Sequence, residues 1–162
     1  MVADPGLPAS LEGWLALLEQ RHGQRIELGL ERVRKVQQAM AAGSEALVIT
    51  VGGTNGKGSC CAMLEGILLA AGYRVGCYTS PHLLRYNERV RIDGRDVDDE
   101  RLVQGFAAVE AVRGDTPLTY FEHGTLAAWS VLAGEGLDVI VLEVGLGGRL
   151  DAVNLFDSDC AI

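Results

Sequence analysis

The sequence predicts an α/β protein built on a mostly parallel, doubly wound sheet. Three observations carry that expectation. First, apolar runs rich in β-branched residues (Leu47 to Val51, Arg74 to Thr79, Asp138 to Val144) alternate with stretches of helical periodicity. That is the pattern of strands buried between layers of helices. Second, glycine-rich turns follow two of those runs, at Gly52 to Lys57 and at Gly145 to Asn154. Third, Leu47 to Leu69 reads as one continuous strand, glycine turn and helix, with Cys61, Leu64, Ile67 and Leu68 on one apolar stripe of the helix.

Taken in order, the chain opens with Ser10 as a helix N-cap. Leu11, Trp14, Leu15 and Leu18 then form an apolar face up to about His22. Gly29 breaks the chain. Helical spacing resumes from Leu30 to Met40, with Val33, Val36 and Met40 inside and Glu31, Arg32, Arg34 and Lys35 mostly outside. Residues 1–45 therefore read as a helical segment packed on a core domain of residues 46–162. Ala71-Gly72 closes the helix that follows the first strand. Ser80 to Asn87 is a loop opened by Ser-Pro. Glu88 to Ile92 alternates charged and apolar residues, as a short exposed strand does, and Asp93-Gly94 is a tight-turn signal. Asp98 to Val112 is a helix with Leu102, Val103, Phe106 and Val109 inside, and Thr119 to Leu132 is another. Leu155 to Ile162 reads as the opening of a further buried strand, so the chain is expected to be the front part of a longer protein.

The segment from Gly52 to Ser59 carries the chemistry. Glycines let backbone N–H groups turn inward on an anion, and a helix N-terminus adds its dipole. Lys57 then reaches the β- and γ-phosphates of a nucleotide. The strict pattern G-x-x-x-x-G-K-[ST] is not met: the first glycine is displaced to Gly52, and Gly58 stands between Lys57 and Ser59. The alternative is a plain glycine turn with Lys57 exposed.

Glu143 ends an otherwise apolar strand. A carboxylate there is costly unless a cation or hydrogen bonds hold it, and the carboxyl ends of parallel strands are where ligands bind. Beside a phosphate loop that is the position of a magnesium-holding acid. The alternative is a structural pair with Arg149 or another basic residue. Ser80 follows another strand at its carboxyl end and offers a second magnesium ligand, although a Ser before Pro is also an ordinary turn residue. His82 is read as a solvated loop histidine, and His22 and His123 have no partner at fixed spacing. The loop GLGGRLDAVN puts an Arg and an Asp on backbone near the phosphate site.

The chain has 162 residues, a net charge of −8 and 48% hydrophobic residues. The acidic balance argues against a nucleic-acid footprint, which needs a basic stripe. No apolar run is long enough to span a bilayer. The N-terminus lacks the basic and apolar regions of a signal peptide. Cys60, Cys61, Cys77 and Cys160 have no metal-ligand spacing and read as reduced, mostly core residues of a cytoplasmic protein.

These motifs together resemble the ATP-binding domain of the folylpolyglutamate synthase/dihydrofolate synthase family, in the wider Mur ligase superfamily, and most of all its bacterial bifunctional form. The resemblance rests on LGLERV (Leu28 to Val33), GTNGKGS (Gly53 to Ser59), TSPHL (Thr79 to Leu83), TYFE (Thr119 to Glu122) and EVGLGGRLDAVN (Glu143 to Asn154). It covers the chain from about Leu11 onward. Val153 departs from the family's usual Thr. The resemblance implies a Mur-ligase-like ATPase domain, incomplete at its C-terminus, from an ATP-dependent amide ligase. ATP would phosphorylate a carboxylate of dihydropteroate or a reduced folate, and the amino group of L-glutamate would attack the acyl phosphate.

By the same resemblance, Thr54, Asn55, Gly56, Lys57, Gly58 and Ser59 bind ATP, and Ser80 and Glu143 hold Mg²⁺. Lys57 and Glu143 act as catalytic groups. Arg25, Ile26, Glu27 and Leu28, with Thr119, Tyr120, Phe121 and Glu122 and with Leu150, Asp151 and Ala152, line the pterin site. The implied partners are small molecules, with no nucleic acid and no membrane, and the implied state is a monomer. A further magnesium-binding His, a carbamylated Lys and a C-terminal domain lie downstream in relatives, so these residues alone are expected to bind MgATP weakly and not to turn over. Two other readings remain open on the residues: a Mur-type ligase with another acceptor, and a non-catalytic nucleotide-binding domain.

Overall fold

The computed structural model describes residues 6–21 and 29–162. Helices α1 (Leu11–Arg21) and α2 (Glu31–Met40) precede strand β1 (Leu47–Val51). Helix α3 (Lys57–Ala70), strand β2 (Val75–Tyr78), a 3-10 turn (Tyr86–Arg89) and the hairpin β3 (Val90–Ile92) and β4 (Arg95–Asp96) follow. Helices α4 (Asp99–Arg113) and α5 (Tyr120–Ala133) lead into β5 (Val139–Glu143). Two further 3-10 turns (Gly148–Leu150, Ala152–Leu155) lead to β6 (Cys160–Ala161).

The six strands form one sheet in the order β4-β3-β2-β5-β1-β6. β5 lies between β1 and β2, parallel to both, and β6 runs parallel to β1. β3 runs antiparallel to β2, and β3 and β4 form an antiparallel hairpin. Asp93 and Gly94 both take positive φ in its turn (50° and 77°), which suits the right-handed twist of a tight hairpin.

The two-residue period of the strands sorts the core into two layers. Val48, Tyr78, Ile140 and Leu142 point into the larger layer, filled by α1, α2, α4 and α5 through Trp14, Val33, Val36, Leu102, Phe106, Val109 and Leu126. Val51, Val75, Cys77, Val139 and Val141 point the other way, onto Cys61, Leu64 and Leu68 of α3. Trp14 stacks on Phe106 with ring centroids 5.9 Å apart, joining α1 to α4. Ser10 accepts a hydrogen bond from the Gly13 amide at the start of α1. Asp98 and Thr119 cap α4 and α5 by accepting from the amides of Arg101 and Glu122.

Several expectations change. Ile67 is not part of the buried stripe of α3: it is 66% exposed, and the buried partner of Cys61 on that helix is Glu65. Helical spacing alone cannot say how wide a stripe the sheet covers. The span Glu88 to Ile92 is not one exposed strand. Its first half is a 3-10 turn, and Val90 is fully buried against the helical layer. The final strand is not buried: Cys160 and Ala161 are exposed, because β6 is the sheet's edge and pairs with β1 alone. Of the four cysteines, Cys61 and Cys77 are core residues, Cys60 is half-buried and Cys160 exposed; all four are free thiols. No described helix is long and apolar enough to cross a membrane.

Candidate functional site

The carboxyl edge of the sheet gathers the predicted residues. β1 ends at Val51 directly opposite Glu143 at the end of β5, and β2 ends one register position away, where Tyr78 faces Leu142. The loops after β1, β2 and β5 therefore open side by side. Gly53 (φ 134°) and Gly56 (φ 78°) adopt conformations that L side chains rarely take, and Gly56 forms the N-cap of α3 without any side-chain cap. Its first amides are thus left for an external acceptor. Thr54, Asn55, Gly56, Gly58 and Ser59 are exposed, and Lys57, half-buried, donates from Nζ to the Gly53 carbonyl at 3.1 Å.

Strand alternation also aims Glu143. Val139 and Val141 face α3, so two residues further the carboxylate of Glu143 faces the same helix at its N-terminus. Its Oε1 lies 3.7 Å from where a Cβ on Gly58 would stand, and its Oε2 accepts from the Ser80 amide at 2.9 Å. Glu143 is 5% exposed. Its hydrogen bond goes to Ser80, whereas Arg149 lies exposed on the outer turn of the glycine loop.

A buried carboxylate with a half-buried serine beside it, next to exposed helix amides, has the chemistry of a Mg²⁺ site. Magnesium keeps waters and takes its remaining ligands from phosphate oxygens, so one carboxylate and one hydroxyl are a sufficient protein share. Among the described residues no group of three or more His, Cys, Asp or Glu side chains converges as a complete metal cage.

Between the phosphate loop and the 144–149 loop lies an open cleft of about 580 Å³, lined by Gly53, Thr54, Lys57, Gly145, Leu146 and Arg149 among others. Thr50 lines it as well, and its buried hydroxyl has no hydrogen-bond partner among the described residues. The sequence offered no reason to single out Thr50, since a threonine inside a buried strand reads as a β-former.

The glycine loop is organised by Asp151. This side chain, 3% exposed, accepts from the amides of Leu146 (2.7 Å) and Val153 (3.0 Å). Burial pushes its carboxyl above the usual range, against the pull of the Val153, Leu146 and Gly145 amides and of the Lys57 charge. Leu150 is exposed on the loop's rim and Ala152 buried beneath it. Gly145 is required by close approach: a Cβ there would stand 2.6 Å from Phe121 Cζ.

Of the residues assigned to the pterin site, Arg25, Ile26, Glu27 and Leu28 lie outside the described residues. The other two groups meet, since Phe121 at the start of α5 touches the backbone of the glycine loop. Glu122 is 4% exposed and spends its carboxylate on Arg32 of α2 (2.9 Å) and on the Thr119 amide (2.8 Å), so that Thr119 and Glu122 form a capping box. Arg32 is accordingly not on the outside of α2. Tyr120 packs edge-on against Tyr86. His82 is not a solvated loop residue: its ring packs tilted against Tyr86, and its Nδ1 accepts from Arg89 Nε at 2.8 Å. Burial and the Arg89 charge hold its pKa below the ordinary value.

The loop that bears His82 is pinned by Glu88, whose carboxylate accepts from the amides of Leu83, Leu84 and Arg85 at 2.7 to 2.8 Å. Those amides hold the Glu88 carboxyl below its usual range. A glutamate three to five residues after the loop amides that follow the Ser-Pro turn was the available sequence signal.

Comparison with known proteins places this arrangement. The chain is 51% identical over 159 residues to the dihydrofolate synthase/folylpolyglutamate synthase of Escherichia coli K12, covering 98% of this chain and 38% of that protein. It is 44% identical over 117 residues to a folylpolyglutamate synthase of Arabidopsis thaliana, covering 68% of this chain and 19% of that protein. Two solved structures superpose closely. E. coli FolC in complex with DHPP and ADP gives a TM-score of 0.92 at 51% identity, over 98% of this chain and 38% of that one. A bifunctional folylpolyglutamate synthase/dihydrofolate synthase with Mn, AMPPNP and L-glutamate bound gives 0.90 at 54% identity, over 97% and 38%. No family model matches the chain.

The fold is therefore that of the Mur-ligase-type α/β domain with its phosphate loop. Over nearly its whole length the chain is homologous to the bacterial dihydrofolate synthase/folylpolyglutamate synthases, and it spans about 38% of the length of the E. coli protein.

Proposed function

We propose that this chain is the nucleotide-binding part of an ATP-dependent amide ligase that joins L-glutamate to dihydropteroate or to a reduced folate. The observation that carries the reading is the meeting of three segments at one edge of the sheet: the Lys57 loop, Ser80, and the Glu143 carboxylate between Ser80 and the N-terminus of α3. The bound nucleotides and substrates of the homologous structures support it.

In this reading Thr54, Asn55, Gly56, Lys57, Gly58 and Ser59 bind the ATP phosphates. Ser80 and Glu143 hold Mg²⁺, which supplies charge neutralisation at the transferring phosphoryl group. Lys57 and the loop amides, fixed before substrate arrives, stabilise the charge that develops as the acceptor carboxylate takes the phosphoryl group. The amine of L-glutamate then attacks the acyl phosphate and phosphate leaves. The acceptor lies along Thr119 to Glu122, Leu150 to Ala152 and Arg25 to Leu28. Glu122 and Asp151 serve it through the backbone they shape, since their carboxylates are already engaged. The partners are then small molecules, with the protein a cytoplasmic monomer.

The test is ADP release by the intact parent protein with MgATP and L-glutamate, adding dihydropteroate or tetrahydrofolate separately, with Lys57→Ala as the blank. Release with both acceptors gives the bifunctional ligase, and release with one names the half retained. Silence with both, while Lys57-dependent nucleotide binding persists, rejects the folate assignment and leaves a ligase with another acceptor or a non-catalytic nucleotide-binding domain.

A further inference from the structure

Four arginines are half-buried among the described residues, and three of them hold a carboxylate. Arg32 meets Glu122 at 2.9 Å, Arg91 meets Glu65 at 2.8 Å and Arg113 meets Glu110 at 2.7 Å. The fourth, Arg89, meets no carboxylate among the described residues. Its Nε donates to His82 Nδ1 at 2.8 Å, and its guanidinium carbon stands 5.2 Å from the centre of the Tyr86 ring. A ring face and an accepting imidazole nitrogen orient the guanidinium without neutralising it.

The backbone fixes where this charge stands. Arg89 ends the 3-10 turn before β3, and its carbonyl accepts the Thr79 amide at 2.9 Å. The next residue after Thr79 is Ser80, whose amide is bound by Glu143. On the other side, Tyr86 packs edge-on against Tyr120 with ring centroids 6.2 Å apart, and Tyr120 belongs to the strip Thr119 to Glu122 at the start of α5. Tyr86 and Tyr120 lie in the layer of α4 and α5, whereas the phosphate loop opens α3 on the opposite face of the sheet. Arg89 is therefore on the acceptor's side of the carboxyl edge and not on the nucleotide's. Its charge pulls on the Tyr120 hydroxyl, against the burial that raises that group's pKa.

Resting on the ligase reading above, we propose that Arg89 binds the carboxylate of the acceptor, the group that takes the phosphoryl. That carboxylate has to reach from the acceptor strip toward the nucleotide, past Ser80 and Glu143, and Arg89 is anchored beside Ser80 with Tyr86 joining it to the strip. A guanidinium is a planar fork that matches the two oxygens of a carboxylate. With Nε committed to His82, the two Nη groups are the end that meets the ligand. No acid of the described residues competes for them as an ion pair, in contrast to Arg32, Arg91 and Arg113. His82 and Tyr86 are positioning residues here: one holds the fork by its Nε and the other supports its face. The site thereby selects for an acceptor that carries a negative charge at the reacting end, and an otherwise identical molecule without the carboxylate leaves the half-buried guanidinium unneutralised.

The test compares two ligands on the intact parent protein holding MgADP: dihydropteroate, and the analogue with hydrogen in place of the benzoate carboxylate. The parent is expected to bind dihydropteroate about tenfold or more the tighter, as for a hydrogen bond to a charged group. Arg89→Met keeps an apolar stem against Tyr86 and removes the fork. It is expected to bring the ratio of the two affinities to near one and to leave MgADP affinity unchanged. A purely structural Arg89 would weaken both ligands alike and keep the ratio, which overturns the proposal. So does a parent that binds the two ligands equally, or a loss confined to the KM for L-glutamate. Should Arg89→Met fail to fold, the same ratio is read on Arg89→Gln, which is neutral and still able to donate to His82. A parent that releases ADP with dihydropteroate while the ratio survives the substitution loses the Arg89 assignment alone. A parent that binds neither ligand loses the folate reading, and the Arg89 proposal falls with it.

Discussion

The carboxylate of Glu143 accepts the backbone amide of Ser80 at 2.9 Å, tying the end of β5 to the loop after β2 across adjacent strands. The bond fixes one oxygen and leaves the other toward the N-terminus of α3. Replacing Glu143 by Gln keeps an acceptor for Ser80 and removes the charge. The magnesium-dependent part of ADP affinity is then expected to fall at least tenfold, or ~1.4 kcal/mol, in calorimetric titrations with and without Mg²⁺. Equal affinity in both titrations before and after the change would remove Glu143 from the metal site.

Among the described residues Lys57 bonds the Gly53 carbonyl alone, and it is half-exposed. Lys57→Ala is expected to abolish detectable ADP binding while changing folding stability by no more than about 0.5 kcal/mol, as for other surface substitutions. Urea unfolding and nucleotide titration of the same sample separate the two effects. Unchanged nucleotide affinity would make the glycine turn a structural one.

Arg32 and Glu122 form a nearly buried ion pair between α2 and α5, their side chains 19% and 5% exposed. Removing the Glu122 charge takes from Arg32 two close contacts, at 2.9 and 3.0 Å, in a poorly solvated site. Glu122→Gln is expected to lower stability by about 3 kcal/mol, and the Arg32→Met, Glu122→Gln double variant to recover part of that loss. A chemical denaturation series over the two single variants and the double variant measures the coupling; strict additivity would show that the pair contributes nothing as a pair.

His123 packs against both Trp14 and Phe106, and burial lowers its pKa from 6.5 to about 4. Its folded pKa lies below the unfolded one, so the unfolded chain binds the proton first. Stability from this group is complete above pH 6.5 and is lost as pH falls toward 4, by about 3 kcal/mol at the lower end. The Glu110 carboxyl, held down to about 2 by Arg113 and Arg21 against its burial, loses stability further into acid. A His123→Gln variant isolates the histidine: its urea midpoint is expected to change less between pH 7 and pH 4.5 than that of the parent chain.

Asp151 is the centre of the glycine loop, and Asp151→Ala leaves the amides of Leu146 and Val153 without their acceptor. Each unpaired buried donor costs about 1–3 kcal/mol. Faster hydrogen exchange from Gly145 to Asn154 is the expected signature; exchange at the parent's rate would show that the glycines alone shape the loop.

The sequence by itself determined the features that live within one contiguous window. The strand, glycine turn and helix from Leu47 to Leu69, the Asp93-Gly94 hairpin and the acid at the end of β5 were legible, because apolar period and backbone permissiveness act between near neighbours. The tertiary structure decided which charges meet. Arg32 finds Glu122 from 90 positions away, Arg91 finds Glu65 across a helix and a strand, and Glu143 finds Ser80 because β5 inserts beside β2. It also decided that Ile67 and β6 face outward while Val90 is buried. Periodicity states that a face is apolar; strand order and the extent of the covering layer decide whether that face is covered, and a buried charge takes its partner from whichever element is packed against it.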